Sequence, residues 1–152
     1  MGLDGCGGRG GVMDEKKTLA VAPCSTEQAV HMLSVLFMQK KTDTCGGLAS
    51  AAEQLSASQC YAVKDSDGGE VGYYAVQTNK HKAGDEVVLV AGVGTFQGTD
   101  LTLSIVPFVA EQAAQSGAKA LTVHTRRRGM VKKLALLGFE CEGFILRKRL
   151  NT

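Results

Sequence analysis

The chain has 152 residues, of which 44% are hydrophobic and 21% are charged, and its formal net charge is +2. This length and composition fit one globular domain that buries about 70% of the surface its unfolded chain would expose. No apolar run reaches the ~20 residues of a bilayer-spanning helix, and the first residues lack the apolar segment of a signal peptide. We therefore expect a cytoplasmic protein with no membrane contact.

The cysteines and histidines predict neither a disulfide framework nor a metal site. The cysteines are odd in number and show no Cys-x-x-Cys spacing, and the histidines are isolated from one another. We expect core thiols and surface imidazoles. The residues concerned are Cys6, Cys24, Cys45, Cys60 and Cys141, with His31, His81 and His124.

Charge is distributed unevenly along the chain. Residues 119–152 carry nine Lys or Arg against two Glu, whereas residues 1–118 carry eight basic and thirteen acidic side chains. One end of the fold is therefore basic, which suits an anionic ligand or partner.

The first half of the chain predicts an arm, a strand, two helices and a hairpin. Residues 1–17 are Gly-rich and then charged, which indicates a flexible arm before a single domain over 18–152; either Met1 or Met13 fits as the natural start. A strand is expected over 18–23 and a helix capped by Ser25 or Thr26 follows. A short helix over 47–58 precedes a hairpin that turns at Asp65–Gly69.

The second half alternates strands and helices. The apolar run 86–96 predicts a buried strand, and the next helix is expected to start from Ser104, which places Pro107 in its first turn and Gly117 at its end. The remaining segments predict a strand over 118–125, a helix that lies within 126–140 and ends at Gly138, and a last strand over 141–150. This order predicts an α/β sandwich, with helices on both faces of a mixed sheet.

The order of elements and the positions of the glycines resemble the GNAT superfamily of acyl-CoA-dependent N-acyltransferases. The likeness covers about residues 18–150 and is strongest over 86–146, including the "LGFE" segment and Gly143. It implies a cofactor loop that closes the fourth strand and opens the next helix. Backbone N–H groups at such a helix start face the pyrophosphate of acetyl-CoA, and glycines let the backbone approach it.

Counting back from Gly117, the resemblance places the cofactor loop on Gln97–Thr102. Gln97 and Gly98 match the family pattern, whereas Asp100 and Thr102 replace two small residues. The predicted cofactor-binding residues are Val93, Gly94, Thr95, Gln97, Gly98, Thr99, Asp100, Leu101 and Thr102. Asp100 opposes this role, because a carboxylate within ~4–6 Å of a pyrophosphate costs on the order of 1 kcal/mol or more. Its alternative role is to cap a helix that has lost its ligand.

The catalytic groups are not identified by the resemblance. Many members carry a tyrosine that protonates the departing thiolate where this chain has Leu134, which cannot transfer a proton. His81, Asp85 and Glu86 are candidates for a general base, although surface charge is the preferred interpretation. Backbone N–H groups from Val93 to Thr95, splayed by a β-bulge as in the family, would polarise the acyl carbonyl.

The basic stretch "TRRRGMVKK" over 125–133 has three interpretations. It is the solvated face of a helix, a site for the phosphates of coenzyme A, or a nucleic-acid contact. The first is preferred, and the third is disfavoured because the stretch lacks interleaved aromatic residues.

Two functions remain from different classes. The leading one is acetyl transfer from acetyl-CoA to an amine, with activity intact, reduced or lost. The alternative is a non-catalytic GNAT-fold assembly protein, similar to internal virion proteins of some tailed phages, with protein assembly partners. An exposed edge strand near the C-terminus is compatible with a homodimer. A splayed pair of strands beside the loop would favour the enzyme.

Overall fold

The computed structural model describes residues 19–38, 48–94 and 101–150. Within these ranges the chain forms one sheet with helices packed against it. In chain order the elements are β1 (Ala20–Pro23), α1 (Thr26–Met38), α2 (Ala51–Ser56), β2 (Gln59–Lys64), β3 (Glu70–His81), β4 (Gly84–Gly94), α3 (Leu101–Gln115), β5 (Ala120–Val123) and α4 (Arg128–Leu136). The predicted arm over 1–17 lies outside the described residues.

The sheet has the strand order β1-β2-β3-β4-β5. The first four strands pair antiparallel with their neighbours, whereas β4 and β5 pair parallel because helix α3 connects them. The predicted mixed sheet is therefore confirmed.

Each face of the sheet carries its own buried cluster. On one face Leu33 of α1 and Leu55 of α2 are fully buried against the sheet. On the other face Tyr74 of β3 packs with Ile105 and Val109 of α3. Burial of each such large side chain stabilises the fold by roughly 1.5–3 kcal/mol. Helices cover both faces, which confirms the predicted α/β sandwich.

The β2–β3 hairpin turns where the sequence predicts it. The Asp65 carboxylate accepts hydrogen bonds from the backbone N–H groups of Asp67 and Gly69, each at 3.0 Å. Gly68 has φ +83°, a conformation that glycine adopts without steric cost. The turn thus depends on one carboxylate and one glycine.

Helix α3 begins earlier than expected. It starts at Leu101, so Ser104 lies within the helix and Pro107 is its seventh residue rather than part of its first turn. A proline there lacks the N–H that would bond to the preceding turn, at a cost of roughly 3 kcal/mol. Burial of Ile105 and Val109 on the sheet side offsets this cost. The expected helix end is confirmed, since Gly117 follows with φ +91°.

The strand expected over 141–150 is wrong. Residues 139–150 form neither helix nor strand, and they are exposed from Glu140 onward. Phe144 and Leu146 are 90% and 93% exposed. The segment has strand-like composition, but a strand needs a partner for its backbone groups, and β5 has none of these residues beside it. We call residues 141–150 the C-terminal segment.

Among the described residues, no helix is long and apolar enough to cross a membrane.

The close approach of β3 and β4 at Gly72 yields a prediction about stability. A Cβ atom at Gly72 would lie 2.9 Å from the carbonyl oxygen of Val93 and 3.2 Å from Cδ1 of Ile105. The backbone oxygen cannot move without disturbing the β3–β4 ladder. We expect Gly72→Ala to lower the free energy of unfolding by about 1–3 kcal/mol, measured by urea denaturation.

Gly92→Ala is the matched control in the same ladder. A Cβ there meets its nearest neighbour, Cβ of Tyr74, at an ordinary 3.8 Å. Its effect should stay within about 0.5 kcal/mol. Equal losses in the two variants would contradict the steric explanation.

Candidate functional site

Strand β4 has an open edge on its β5 side. The parallel ladder contains four pairs, from Glu86 opposite Ala120 to Leu89 opposite Val123. Strand β4 continues to Gly94, and no described strand lies beside Val90–Gly94 on that side. Backbone N–H and C=O groups directed to that side therefore have no ladder partner among the described residues. We call Val90–Gly94 the open edge.

A β-bulge lies at the start of the open edge. Ala91 pairs with Ala75 and Leu89 pairs with Val76, which leaves Val90 as an extra residue on β4. Before the bulge Leu89 packs in the α3-side cluster, whereas Val90 and Ala91 pack in the α1-side cluster. The bulge thus changes the face to which alternate side chains of β4 point.

The bulge at Val90 lies before the stretch Val93–Thr95, where the resemblance implied one; Val93 and Gly94 are in regular pairs, and Thr95 lies outside the described residues. Gly92 and Gly94 stand in regular pairs opposite Tyr74 and Gly72. A bulge of this kind needs one extra residue and no glycine, so the glycines were not a guide to its position.

The structure describes both flanks of the predicted cofactor loop. Val93 and Gly94 end the open edge, and Leu101 and Thr102 begin α3. The loop residues between them, Thr95, Gln97, Gly98, Thr99 and Asp100, lie outside the described residues. The loop over Gln97–Thr102 was expected to open the helix, whereas Leu101 and Thr102 already belong to α3. Because α3 begins at Leu101, its first N–H groups follow directly after Asp100.

Basic residues lie at the same end of the sheet. Arg126, Arg127 and Arg128 follow β5, and all three are exposed. Since β4 and β5 run parallel, their carboxyl ends share one edge of the sheet, where ligands of open α/β sheets usually bind. The positive charge of the C-terminal quarter is thus partly located beside the open edge.

A polar cluster on the α1 side was missed by sequence reasoning. Tyr73 is 3% exposed; its hydroxyl donates a hydrogen bond to Oε1 of Glu70 and accepts one from Nε2 of Gln28 at 3.0 Å. Tyr73 is paired with Val93, so the cluster lies beside the last residues of β4.

A second bulge brings Glu70 onto that face. Val63 pairs with Gly72 and Lys64 with Glu70, so Val71 is an extra residue on β3. In a regular strand Glu70 and Tyr73, three residues apart, would point to opposite faces. The alternation of side chains along a regular strand therefore did not predict that Glu70 and Tyr73 lie on the same face.

The hydrogen bond to the Glu70 carboxylate raises the pKa of Tyr73, and burial raises that pKa further. The phenol thus remains a proton donor at neutral pH. Chemically, a carboxylate held by a phenol can bind an ammonium group or accept a proton from it.

The proposed general-base residues lie at the other end of β4. Glu86 accepts a hydrogen bond from Oγ1 of Thr122 at 2.5 Å and lies 3.4 Å from Nε2 of His81. The bonds from Thr122, Asn79 and His81 lower the pKa of Glu86, which makes it a weaker base. Glu86 is eight residues from Gly94, or roughly 26 Å along an extended strand.

Asp85 shares that remote end of the sheet. It forms an ion pair with Lys80 at 3.2 Å, and the open cavity of about 310 Å³ beside it is lined by His81, Glu86 and Lys119 as well. Its position relative to Gly94 gives it no access to the open edge.

Leu134 stands where the resemblance would place a proton-donating tyrosine. It is 5% exposed and is the buried residue of α4. The structure thus places a core side chain there. Within the described ranges, no three His, Cys, Asp or Glu residues lie close enough to hold a metal ion.

No protein-family model and no curated protein sequence matches the chain. Solved N-acetyltransferase structures nevertheless share its fold. Glucosamine-6-phosphate N-acetyltransferase from Arabidopsis thaliana has a TM-score of 0.57 at 12% identity, covering 89% of this chain and 100% of its own.

Two further structures agree. The ribosomal-protein-alanine N-acetyltransferase from Brucella melitensis has a TM-score of 0.59 at 12% identity, over 88% of this chain and 100% of its own. An aminoglycoside N-acetyltransferase in complex with CoA has a TM-score of 0.57 at 15% identity, over 90% of this chain and 97% of its own. Identities this low establish the fold alone.

The Glu70–Tyr73 hydrogen bond predicts a measurable titration. We expect Glu70→Gln to lower the pKa of Tyr73, because the variant removes the negative charge that disfavours the phenolate. Ultraviolet absorbance of tyrosinate, corrected with Tyr73→Phe, measures the transition. Stability from this bond is complete below the ordinary tyrosine pKa of about 10 and is lost as pH rises through the raised value.

Glu111→Gln, on the exposed face of α3, is the matched control and should leave the transition unchanged. An unchanged pKa of Tyr73 in Glu70→Gln would show that the Glu70 carboxylate does not accept a hydrogen bond from the phenol.

Proposed function

The chain has the fold of the GNAT superfamily, and we propose that it is an acyl-CoA-dependent N-acyltransferase of the cytoplasm. Its reaction would be the transfer of an acetyl group from acetyl-CoA to an amine. The observation that carries this proposal is the open edge of β4, which begins at the Val90 bulge and ends at the loop before α3.

The open edge has the chemistry that acetyl-CoA requires. The pantetheine arm contains two amides, and unpaired strand groups are the partners that amides take in an extended conformation. The bulge at Val90 displaces N–H groups from the regular ladder, and displaced donors of this kind can polarise a thioester carbonyl. Acetyl-CoA would supply the activated acyl group, and the open edge would hold its thioester in a fixed orientation.

The charged residues that follow β4 and β5 have opposite effects on the binding of a pyrophosphate. Asp100 precedes α3 and disfavours a pyrophosphate, whereas Arg126–Arg128 attract one. Each interaction between solvent-exposed charges is on the order of 1 kcal/mol. Since Arg127 and Arg128 add two exposed positive charges after β5 and the loop adds one negative charge, we infer that the site retains affinity for coenzyme A.

On the acceptor side we assign Glu70. Its carboxylate, bonded to Tyr73, lies on the α1 face beside the end of β4, and an incoming ammonium group would pair with it. Loss of the ammonium proton to this carboxylate would leave the amine nitrogen nucleophilic.

Calorimetric titration with acetyl-CoA tests the cofactor proposal. We expect micromolar binding to the wild type and about fivefold to tenfold tighter binding to Asp100→Gly, which removes one like charge. Arg127→Gln should weaken binding about fivefold, and added salt should reduce that difference.

Lys82→Gln is the control, because Lys82 is an exposed cation in the β3–β4 turn at the opposite end of β4. Its affinity should equal that of the wild type. Binding to neither the wild type nor Asp100→Gly would refute the enzyme proposal.

The exposed C-terminal segment supports a second candidate, a non-catalytic assembly protein such as a phage virion component. Phe144, Ile145, Leu146 and Leu150 are 67–93% exposed. Strand β5 is the last strand of the described sheet, so its outer edge has backbone groups available for another chain. We propose that the segment of one copy pairs with β5 of a second copy, which would give a homodimer.

Sedimentation velocity tests this pairing. The wild type should sediment as a dimer, and Phe144→Ser with Leu146→Ser should sediment as a monomer, because the change removes the apolar side chains that the pairing would bury. Val131→Ser, at a 43% exposed position of α4, is the control and should remain dimeric. A monomeric wild type at high concentration would contradict the homodimer.

A further inference from the structure

Cys24 and Cys60 face each other across β1 and β2. The register that pairs Ala20 with Lys64 and Pro23 with Tyr61 extends by one residue to these two cysteines. The backbone N–H of Cys24 donates to the carbonyl oxygen of Cys60 at 2.9 Å. Opposed residues of a hydrogen-bonded antiparallel pair have Cα atoms about 5.5 Å apart. Disulfides span Cα separations of about 4.4–6.8 Å.

Both side chains point to the α1 side of the sheet. Cys60 is buried in the cluster there, and Cys24 is half-buried and packs against it. Both thiols are free. The Sγ atom of Cys60 lies 4.0 Å from the carbonyl oxygen of Ser58, a weak contact that rotation of the thiol would break. Pairing in register and a shared face are the two conditions for a cross-strand bond.

We propose that Cys24 and Cys60 form a reversible intramolecular disulfide on reaction with a low-molecular-weight disulfide such as oxidised glutathione. The Cys24 thiolate, the more accessible of the two, attacks one sulfur of the small disulfide and expels a thiolate. The Cys60 thiolate then attacks Sγ of Cys24 and expels the second small thiolate. Two protein thiols are oxidised, one disulfide is reduced to two thiols, and the two protons pass to the leaving groups.

The geometry makes this bond easy to reverse. Opposed Cβ atoms lie about 4.5–5.5 Å apart in a sheet, whereas a disulfide needs about 3.5–4.5 Å. The strands must therefore approach each other by roughly 1 Å, and a strained disulfide is more readily reduced than a relaxed one.

The surroundings of the thiols set the rate of the exchange. Burial raises the pKa of Cys24, with smaller contributions from Cys60 and Glu70, and burial raises the pKa of Cys60. Cys24 in turn makes a small contribution that raises the pKa of Tyr73. Since the thiolate is the nucleophile, the reaction should accelerate about tenfold per pH unit below the pKa of the attacking thiol.

Mass spectrometry of the full-length chain tests the proposal. The variant carries Cys6→Ser, Cys45→Ser and Cys141→Ser, so that Cys24 and Cys60 are its two thiols. After incubation with oxidised glutathione at about pH 8.5, we expect a monomer lighter by about 2 Da, the mass of two hydrogens. Tryptic digestion should join residues 18–40 to residues 42–64, and dithiothreitol should restore the original mass.

The matched control restores Cys141 and replaces Cys60 with Ser, so that the second thiol lies in the C-terminal segment and not opposite Cys24 on β2. This variant should gain glutathione adducts and lose no mass. The proposal is overturned if the test variant keeps two free thiols, ends with glutathione on both, or forms the linkage only in urea. Linkage under native conditions, with an unchanged circular dichroism spectrum, supports it.

Discussion

Val90 has no partner on β3, and this extra residue determines the face of the sheet to which the side chains of each half of β4 point. Before it, Val87 and Leu89 pack toward α3, and the strand is paired on both sides. After it, Ala91 and Val93 pack toward α1, and the strand is paired on one side alone among the described residues. A strand without the bulge would place those later side chains in the other core.

The open edge depends equally on the short length of β5. Strand β5 is four residues long and ends at Val123, while β4 is eleven residues long. Early termination of one strand in a parallel pair exposes backbone groups at the carboxyl ends, where Arg126–Arg128 also lie. Backbone donors and acceptors and positive charge thus lie at one edge of the sheet, whereas the proton acceptor proposed for the amine, Glu70, comes from β3 on the α1 side.

Much of the fold could be predicted because its signals are local. The apolar run of β4, the Asp65–Gly69 turn and the helix-ending Gly117 each appear in a few consecutive residues. The two bulges could not be predicted, because a bulge is defined by the partner strand and Val71 and Val90 look like ordinary strand residues. The Glu70–Tyr73 cluster was missed for the same reason.

Local sequence propensity also gave wrong predictions for the start of α3 and for the C-terminal segment. Pro107 favours the first turn of a helix, but burial of Ile105 and Val109 extends α3 past it toward the N-terminus. The C-terminal segment has strand propensity without an assigned strand partner, so its apolar side chains remain exposed. The packing of α3 decided the first case and the lack of a partner strand decided the second, and neither can be read from neighbouring residues.

A row of small side chains connects the cysteine pair to the bulge. Cys24 faces Cys60, Cys60 pairs with Ala75, and Ala75 pairs with Ala91, next to Val90. Small residues let α1 approach the sheet, and this close approach buries the thiols and places Gln28 within reach of Tyr73. A change in spacing between β1 and β2 would therefore act directly on the start of α1. Gln28, four residues after Cys24, donates a hydrogen bond to the Tyr73 phenol, which donates to the Glu70 carboxylate, so the proposed disulfide would form four residues along the chain from this cluster.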